Sequence, residues 1–141
     1  MILTVQGVKF HYPGHPVLEE ASFSVEKGEL LAVLGTNGTG KTTLLKCINR
    51  ILKPVAGTVL IGKESVSALS RNALAQRIGY VEQQRTGSRA TVFNAVLLGR
   101  KPYIQWDITQ RDMAIASQAL ETLGLIISTR RQHPAANSRS W

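Results

Sequence analysis

The sequence lacks the features that mark secreted and membrane-spanning proteins. Cys47 is its only cysteine, so no intramolecular disulfide can form and a reduced compartment is predicted. No apolar stretch approaches the roughly 20 residues needed to span a bilayer. The N-terminus has no basic start followed by an apolar run and a cleavage site of small residues, so no signal peptide is predicted. Any association with a membrane is therefore expected to be peripheral.

Acidic and aromatic residues are also few. Nine Asp and Glu stand against 17 Lys and Arg, which gives a net charge of +8, and aromatic residues make up 6% of the chain. Such a charge is found in proteins that bind nucleic acids, phosphates or anionic membranes. Basic and aromatic residues do not interleave here as they do in single-strand binders. A basic nucleic-acid-binding protein is therefore the weakest of three interpretations, and no nucleic acid partner is expected.

The 141 residues, 43% of them hydrophobic, suffice for one globular domain, and apolar patterning predicts its strands. Apolar and polar residues alternate from Ile2 to Phe10 and again at Phe23 and Val25, which predicts antiparallel strands separated by a turn within Tyr12–Pro16. Leu30–Leu34 is an uninterrupted apolar run, which predicts a strand buried on both faces in a parallel sheet. Two further strands are predicted, at Thr58–Ile61 and Ile78–Val81.

Four helices are predicted, at Thr42–Leu52, Arg71–Gln76, Val92–Leu98 and Thr109–Leu123. Ser70 is a candidate N-cap for the second helix. Thr109 and Asp112 have the spacing of a capping box, and Gly124 is a natural C-terminal stop for the fourth helix. Cys47 is predicted to be a small buried hydrophobic residue. The three histidines have no metal-ligand spacing and are predicted to lie on the surface, at His11, His15 and His133.

A glycine-rich loop between an apolar strand and a helix carries the predicted chemistry. Gly35–Thr42 matches the pattern of a glycine, four residues, Gly-Lys and then Ser or Thr. Glycines let the backbone wrap around phosphate oxygens, and the helix start adds N–H groups and a favourable dipole. Lys41 can reach the β- and γ-phosphates, and the Thr42 hydroxyl can ligate Mg²⁺. The predicted phosphate-binding residues are Gly35, Thr36, Asn37, Gly38, Thr39, Gly40, Lys41, Thr42 and Thr43.

The order and spacing of these motifs resemble the ATP-binding subunits of ABC transporters. Gly28-Glu29 precedes the apolar run, Leu44–Ile48 follows the loop, and Pro54-x-x-Gly57-x-Val59 has matching spacing. The segment Thr91–Tyr103 resembles the subgroup of importers for iron–siderophore complexes, haem and cobalamin. The resemblance to the family as a whole covers residues 1 to about 125.

The resemblance implies an α/β P-loop NTPase fold of the ABC ATPase type, truncated, with an N-terminal antiparallel β subdomain and the start of a helical subdomain. Residues 1–84 would form the incomplete nucleotide-binding core, and residues 85–127 would begin the helical subdomain. Residues 128–141 form an atypical basic tail. We hypothesise a frameshift there, because permissible codons for His133 to Ser138 read Ser-Gly-Gly-Glu-Phe in another frame; sequencing the gene tests this.

Further site residues follow from the same resemblance. Tyr12 would stack against adenine, with Val17 packed nearby. Gln83 would contact Mg²⁺ together with Thr42, and Gln83 and Lys41 would be the catalytic residues of this chain. Gln84 follows directly and is the alternative to Gln83.

The implied activity is ATP hydrolysis coupled to import, with ATP and Mg²⁺ as cofactors. The implied partners are a membrane permease and a second ATP-binding subunit in a homodimer, on the cytoplasmic face of the cell membrane. The chain contains no Leu-Ser-Gly-Gly-Gln signature, and no acidic residue follows Glu121. It also lacks the acidic pair after a buried strand and the later histidine that the family uses. We therefore expect this chain alone to be incompetent for hydrolysis, and the alternative interpretation is a non-hydrolysing nucleotide-binding module.

Overall fold

The computed structural model describes residues 1–83 and 90–125. The chain divides into two compact units, Met1–Val81 and a second unit that begins at Glu82. Gln84, residues 85–89 and the predicted basic tail 128–141, which includes His133, lie outside the described residues. Within the described residues, no helix is long and apolar enough to cross a membrane.

The first unit is built on a four-stranded antiparallel sheet. A turn at Pro13-Gly14 joins β1 (Leu3–Tyr12) to β2 (His15–Val25). On its other side β1 pairs with β3 (Ala56–Ile61), which pairs with the short β4 (Glu64–Ser65), so the order is β2-β1-β3-β4. The antiparallel strands predicted within residues 2–25 and the strand predicted at Thr58–Ile61 are therefore confirmed.

Helix α1 (Lys41–Ile48) contributes Leu44, Cys47 and Ile48 to the apolar core of this unit. Cys47 is 1% exposed, as predicted, and its burial raises the pKa of the thiol. The remaining core residues come from the sheet and the segment after it, namely Val5, Val8, Phe10, Val59, Val66, Leu69 and Leu74.

Helix α1 ends earlier than the predicted boundary at Leu52. Arg50 has φ of 55°, in the left-handed region that helices cannot continue through. Its guanidinium donates hydrogen bonds to the carbonyl oxygens of Val66, at 3.2 Å, and Leu69, at 2.5 Å. These hydrogen bonds join the turn that follows α1 to the segment from Val66 to Leu69.

The predicted strands at Leu30–Leu34 and Ile78–Val81 are wrong for the described residues, in which neither segment pairs with a strand. Leu30 is 96% exposed and Leu34 is 89% exposed. A run that is apolar on both faces becomes a strand only when strands flank it, because its N–H and C=O groups need partners. The described sheet offers no such place, since its four strands pair only with one another.

Helix α2 (Arg71–Ala75) begins as predicted. The Ser70 hydroxyl caps it by accepting a hydrogen bond from the backbone N–H of Ala73 at 3.1 Å. The guanidinium of Arg77, just after the helix, forms an ion pair with Glu64 in β4, with Nη1 and Oε2 2.9 Å apart. This pair ties the end of α2 to the sheet.

The second unit contains α3 (Val92–Leu98), a single 3₁₀ turn (Lys101–Tyr103) and α4 (Gln110–Thr122). The predicted capping box of α4 is present: the Thr109 hydroxyl accepts from the Asp112 N–H, and an Asp112 carboxylate oxygen accepts from the Thr109 N–H. Ala116 and Leu120 are the buried apolar residues of α4.

We expect the second unit to lose stability below the usual titration range of aspartate. Hydrogen bonds from Thr109 and then from Arg100, whose Nε lies 3.0 Å from Asp112 Oδ1, lower the pKa of Asp112. A lowered folded-state pKa stabilises the fold above the unfolded pKa of about 3.9, and this stabilisation disappears as the pH falls through the folded-state pKa. Urea midpoints followed by circular dichroism from about pH 5 to 2 measure the effect.

Asp112→Asn removes the titrating carboxyl and should flatten that pH profile, whereas Asp107→Asn, at an exposed position in the same unit, should leave it unchanged. Identical profiles for the wild type and Asp112→Asn would contradict the assignment.

Candidate nucleotide-binding site

The glycine-rich loop leads directly into α1, and Gly40 is the residue at which the loop becomes helix. Gly40 has φ of 87° and is the N-cap of α1. A Cβ at this position would lie 2.8 Å from Val17 Cγ1 and 3.0 Å from the Val17 carbonyl oxygen. Both the backbone conformation and the close approach of β2 therefore require glycine here.

The first turn of α1 is available to an anion. A glycine cap has no side chain to accept hydrogen bonds from the helix, and the first turn of α1 contains no acidic residue. The first intrahelical hydrogen bond runs from the Leu44 N–H to the Gly40 carbonyl at 2.8 Å. The N–H groups at the start of a helix, here Lys41, Thr42 and Thr43, have no intrahelical acceptor and carry the positive end of the dipole. This is the arrangement that binds phosphate.

The Lys41 side chain reaches back across the loop. Its Nζ donates hydrogen bonds to the carbonyl oxygens of Gly35, at 2.8 Å, and Thr36, at 2.6 Å. The Thr39 hydroxyl lies 3.5 Å from the same nitrogen and donates to the Thr36 carbonyl at 3.0 Å. The ammonium is therefore held against the loop backbone by these contacts.

The two threonines after Lys41 differ in exposure. Thr42 is exposed, so its hydroxyl is accessible to a cation, whereas Thr43 is 8% exposed and belongs to the buried side of α1. Magnesium binds a hydroxyl or carboxylate of the protein together with phosphate oxygens and waters, and Thr42 fits that role. The described residues contain no group of three or more His, Cys, Asp or Glu that could hold a metal ion without a nucleotide.

Tyr12 and Val17 lie at the turn end of the β1–β2 hairpin. Tyr12 is 45% exposed, and its ring stands edge-on to Phe10, with centroids 5.0 Å apart and planes at 84°. Val17 lies against Gly40, where an added Cβ would come within 2.8 Å of its Cγ1, and its packing beside adenine stays a prediction. Stacking of adenine on Tyr12 stays a prediction.

Leu18 is a loop contact that the sequence did not indicate. Its Cδ2 would lie 3.1 Å from a Cβ at Gly40. A register shift lies between the pairs Phe10–Leu18 and His11–Pro16, so Val17 is an extra residue on β2. Simple alternation would place Val17 and Leu18 on opposite faces, and only the bulge lets both approach the loop.

Gln83 is exposed and lies in the second unit, whereas the other predicted site residues belong to the first. Its predicted contact with Mg²⁺ and its catalytic role with Lys41 therefore stay predictions.

Residues 18–140 match the sequence model of a family described as ABC transporter. The chain belongs to the ABC transporter family. The match extends beyond residue 125, where the motifs that carried the resemblance were expected to end. It confirms the family that the phosphate loop and the motifs around it predicted.

Named relatives agree with this assignment. The chain is similar to an uncharacterized ABC transporter ATP-binding protein of Methanocaldococcus jannaschii, with 49% identity over 125 residues that cover 89% of this chain and 49% of that protein. A cobalamin import ATP-binding protein of Halobacterium salinarum is 36% identical over 89% of this chain and 32% of its own length. A petrobactin import ATP-binding protein of Bacillus subtilis is 33% identical over 88% of this chain and 50% of its own length.

Solved structures of ABC transporter proteins share the fold. A metal-chelate type ABC transporter in an inward-facing conformation gives a TM-score of 0.69 at 31% identity, covering 88% of this chain and 45% of that chain. The cbiO1 protein of Clostridium perfringens gives a TM-score of 0.65 at 26% identity, and the match covers 89% of this chain and 51% of that chain. The chain thus has the ABC ATPase fold over the matched part, and it spans about half or less of the length of these relatives.

Proposed function

We propose that the chain is the nucleotide-binding part of an ATP-binding subunit of an ABC importer. The observation that carries the proposal is the loop geometry, in which Lys41 Nζ is fixed on the carbonyls of Gly35 and Thr36 beside the open start of α1. Membership of the ABC transporter family and the ATP-binding names of its relatives support it.

In this proposal the triphosphate of ATP lies along the loop. The N–H groups of Gly38 to Thr43 donate to its oxygens, and the Lys41 ammonium offsets the charge on the β- and γ-phosphates. The Thr42 hydroxyl would hold Mg²⁺, which when bound would neutralise phosphate charge. Gln83 is a second magnesium ligand only by the resemblance. Adenine stacks on Tyr12, with Val17 packed nearby.

The cargo that we propose is an iron–siderophore complex, haem or cobalamin. Relatives named for import of cobalamin and petrobactin and for transport of achromobactin support this class. The proposed partners are a membrane permease and a second ATP-binding subunit, and the proposed location is the cytoplasmic face of the membrane. Co-purification with a permease encoded beside the gene tests the partner assignment, and a neighbouring gene cluster without any permease would count against it.

We expect the isolated chain to bind Mg·ATP without hydrolysing it. Phosphoryl transfer to water needs a group that orients the attacking water in addition to the loop, and the sequence has no acidic residue after Glu121 to supply one. The second candidate is a non-hydrolysing nucleotide-binding module. Phosphate release and calorimetric ATP binding, measured on the same preparation, separate binding from turnover.

The Lys41→Ala variant sets the background for that assay, because any contaminating ATPase remains in it. Wild-type release equal to this background is the expected result. Release that exceeds the background and grows with protein concentration would show that the chain hydrolyses ATP by itself.

A further inference from the structure

We propose that His15 forms a second wall of the nucleoside subsite, opposite Tyr12, and contributes to nucleotide affinity. This inference rests on the proposed function, because it assumes that the phosphates of a nucleotide occupy the loop before α1. It adds a specificity-determining residue that no motif in the sequence indicated.

The β1–β2 turn sets the position of His15. Only Pro13 and Gly14 separate Tyr12 from His15 in the chain. Tyr12 and His15 are direct partners across the antiparallel pair of β1 and β2. Directly opposite residues project from the same face of a sheet, with Cβ atoms about 4.5–5.5 Å apart. Both are exposed, so a flat ligand can reach the two side chains together.

The face that carries Tyr12 and His15 continues to the phosphate loop. Phe10 lies next to Tyr12 on this face, as their edge-on ring contact at 5.0 Å shows. Phe10 pairs with Leu18, and Leu18 contacts Gly40 at the start of α1. A nucleotide anchored by its phosphates at Gly40 therefore has its nucleoside end directed along a surface that finishes at Tyr12 and His15.

The chemistry of the imidazole suits a nucleoside. Its flat ring packs against a base or a ribose, as aromatic rings do, and its nitrogens donate and accept hydrogen bonds. His11 offers a matched control on the same hairpin: it is exposed, it pairs with Pro16, and it follows Phe10, so it projects from the opposite face. A role of His15 in nucleoside contact thus predicts different effects for the two histidines.

Calorimetric titration of the full chain with Mg·ATP and with magnesium tripolyphosphate tests the proposal. His15→Ala should weaken ATP binding by about threefold to tenfold and leave tripolyphosphate binding unchanged, because only the nucleoside contact is lost. His15→Phe, which keeps a flat ring, should bind ATP within about twofold of the wild type. His11→Ala should change neither affinity.

Equal ATP affinities for His15→Ala and His11→Ala would overturn the proposal. So would a parallel loss of tripolyphosphate binding in His15→Ala, since it would show an effect on the loop and not on the nucleoside. A wild-type chain that binds neither probe would contradict the proposed function itself. A wild-type chain that binds both probes with equal affinity would contradict the nucleoside subsite alone.

Discussion

Replacing Lys41 by alanine is expected to weaken ATP binding by roughly 10- to 100-fold, the cost of losing a charge-assisted hydrogen bond. The ammonium donates to the carbonyl oxygens of Gly35 and Thr36 at 2.8 and 2.6 Å, so it lies on the loop that we propose binds phosphate. Alanine removes both the charge beside the phosphates and the link across the loop. Isothermal titration calorimetry with Mg·ATP measures the difference.

Lys46→Ala is the matched control for this variant. Lys46 lies in the last turn of the same helix, so its removal lowers the net charge equally without touching the loop. Its ATP affinity should stay within about twofold of the wild type, because Lys46 lies five residues further along the helix and salt weakens its attraction to the phosphates. Equal losses for Lys41→Ala and Lys46→Ala would show that the charge of +8 attracts polyanions without a specific site.

Gly57→Ala should destabilise the first unit by about 3 kcal/mol or more. Gly57 has φ of 87°, and a Cβ there would collide with the carbonyl group of Gly7 and the backbone nitrogen of Val8. The two backbones belong to β3 and β1, so the clash separates the central pair of the sheet. The free energy of unfolding from urea titration measures the loss.

Gly62→Ala separates the clash from backbone strain. Gly62 also has positive φ, at 60°, but no atom lies within 4 Å of the position that a Cβ would occupy. Only the left-handed conformation costs energy there, about 1–2 kcal/mol. Similar losses for the two variants would contradict the close approach of β1 and β3 at Gly57.

The parts of the fold that the sequence predicted correctly depend on neighbours close in the chain. The turn from the glycine-rich loop into α1, the Ser70 cap and the capping box of Thr109 and Asp112 are each complete within eight residues or fewer. The β1–β2 hairpin is likewise fixed by its two-residue turn. Local hydrogen bonds and backbone preferences decide such features, so a pattern of residue types is enough to predict them.

The predictions that failed depend on distant partners. Leu30–Leu34 has the composition of a buried strand, but the described sheet provides no strand to pair with it. Helix α1 ends before Leu52, and Arg50, just beyond it, bonds to carbonyls 16 and 19 residues away. No local pattern shows where an arginine finds its acceptors, or that a bulge at Val17 lets Leu18 approach the loop.

The most direct test of the account is to follow backbone amide resonances of the labelled chain by NMR while Mg·ATP is added. The account predicts that the amides from Gly35 to Thr43 shift most and saturate together, because the N–H groups of Gly38 to Thr43 bind the phosphates and Gly35 to Asn37 belong to the same loop. Smaller shifts should follow at Tyr12 and Val17. Amides of Gly35–Thr43 that stay unchanged while ATP binds, or while other residues shift, would contradict the assignment of this loop as the nucleotide site.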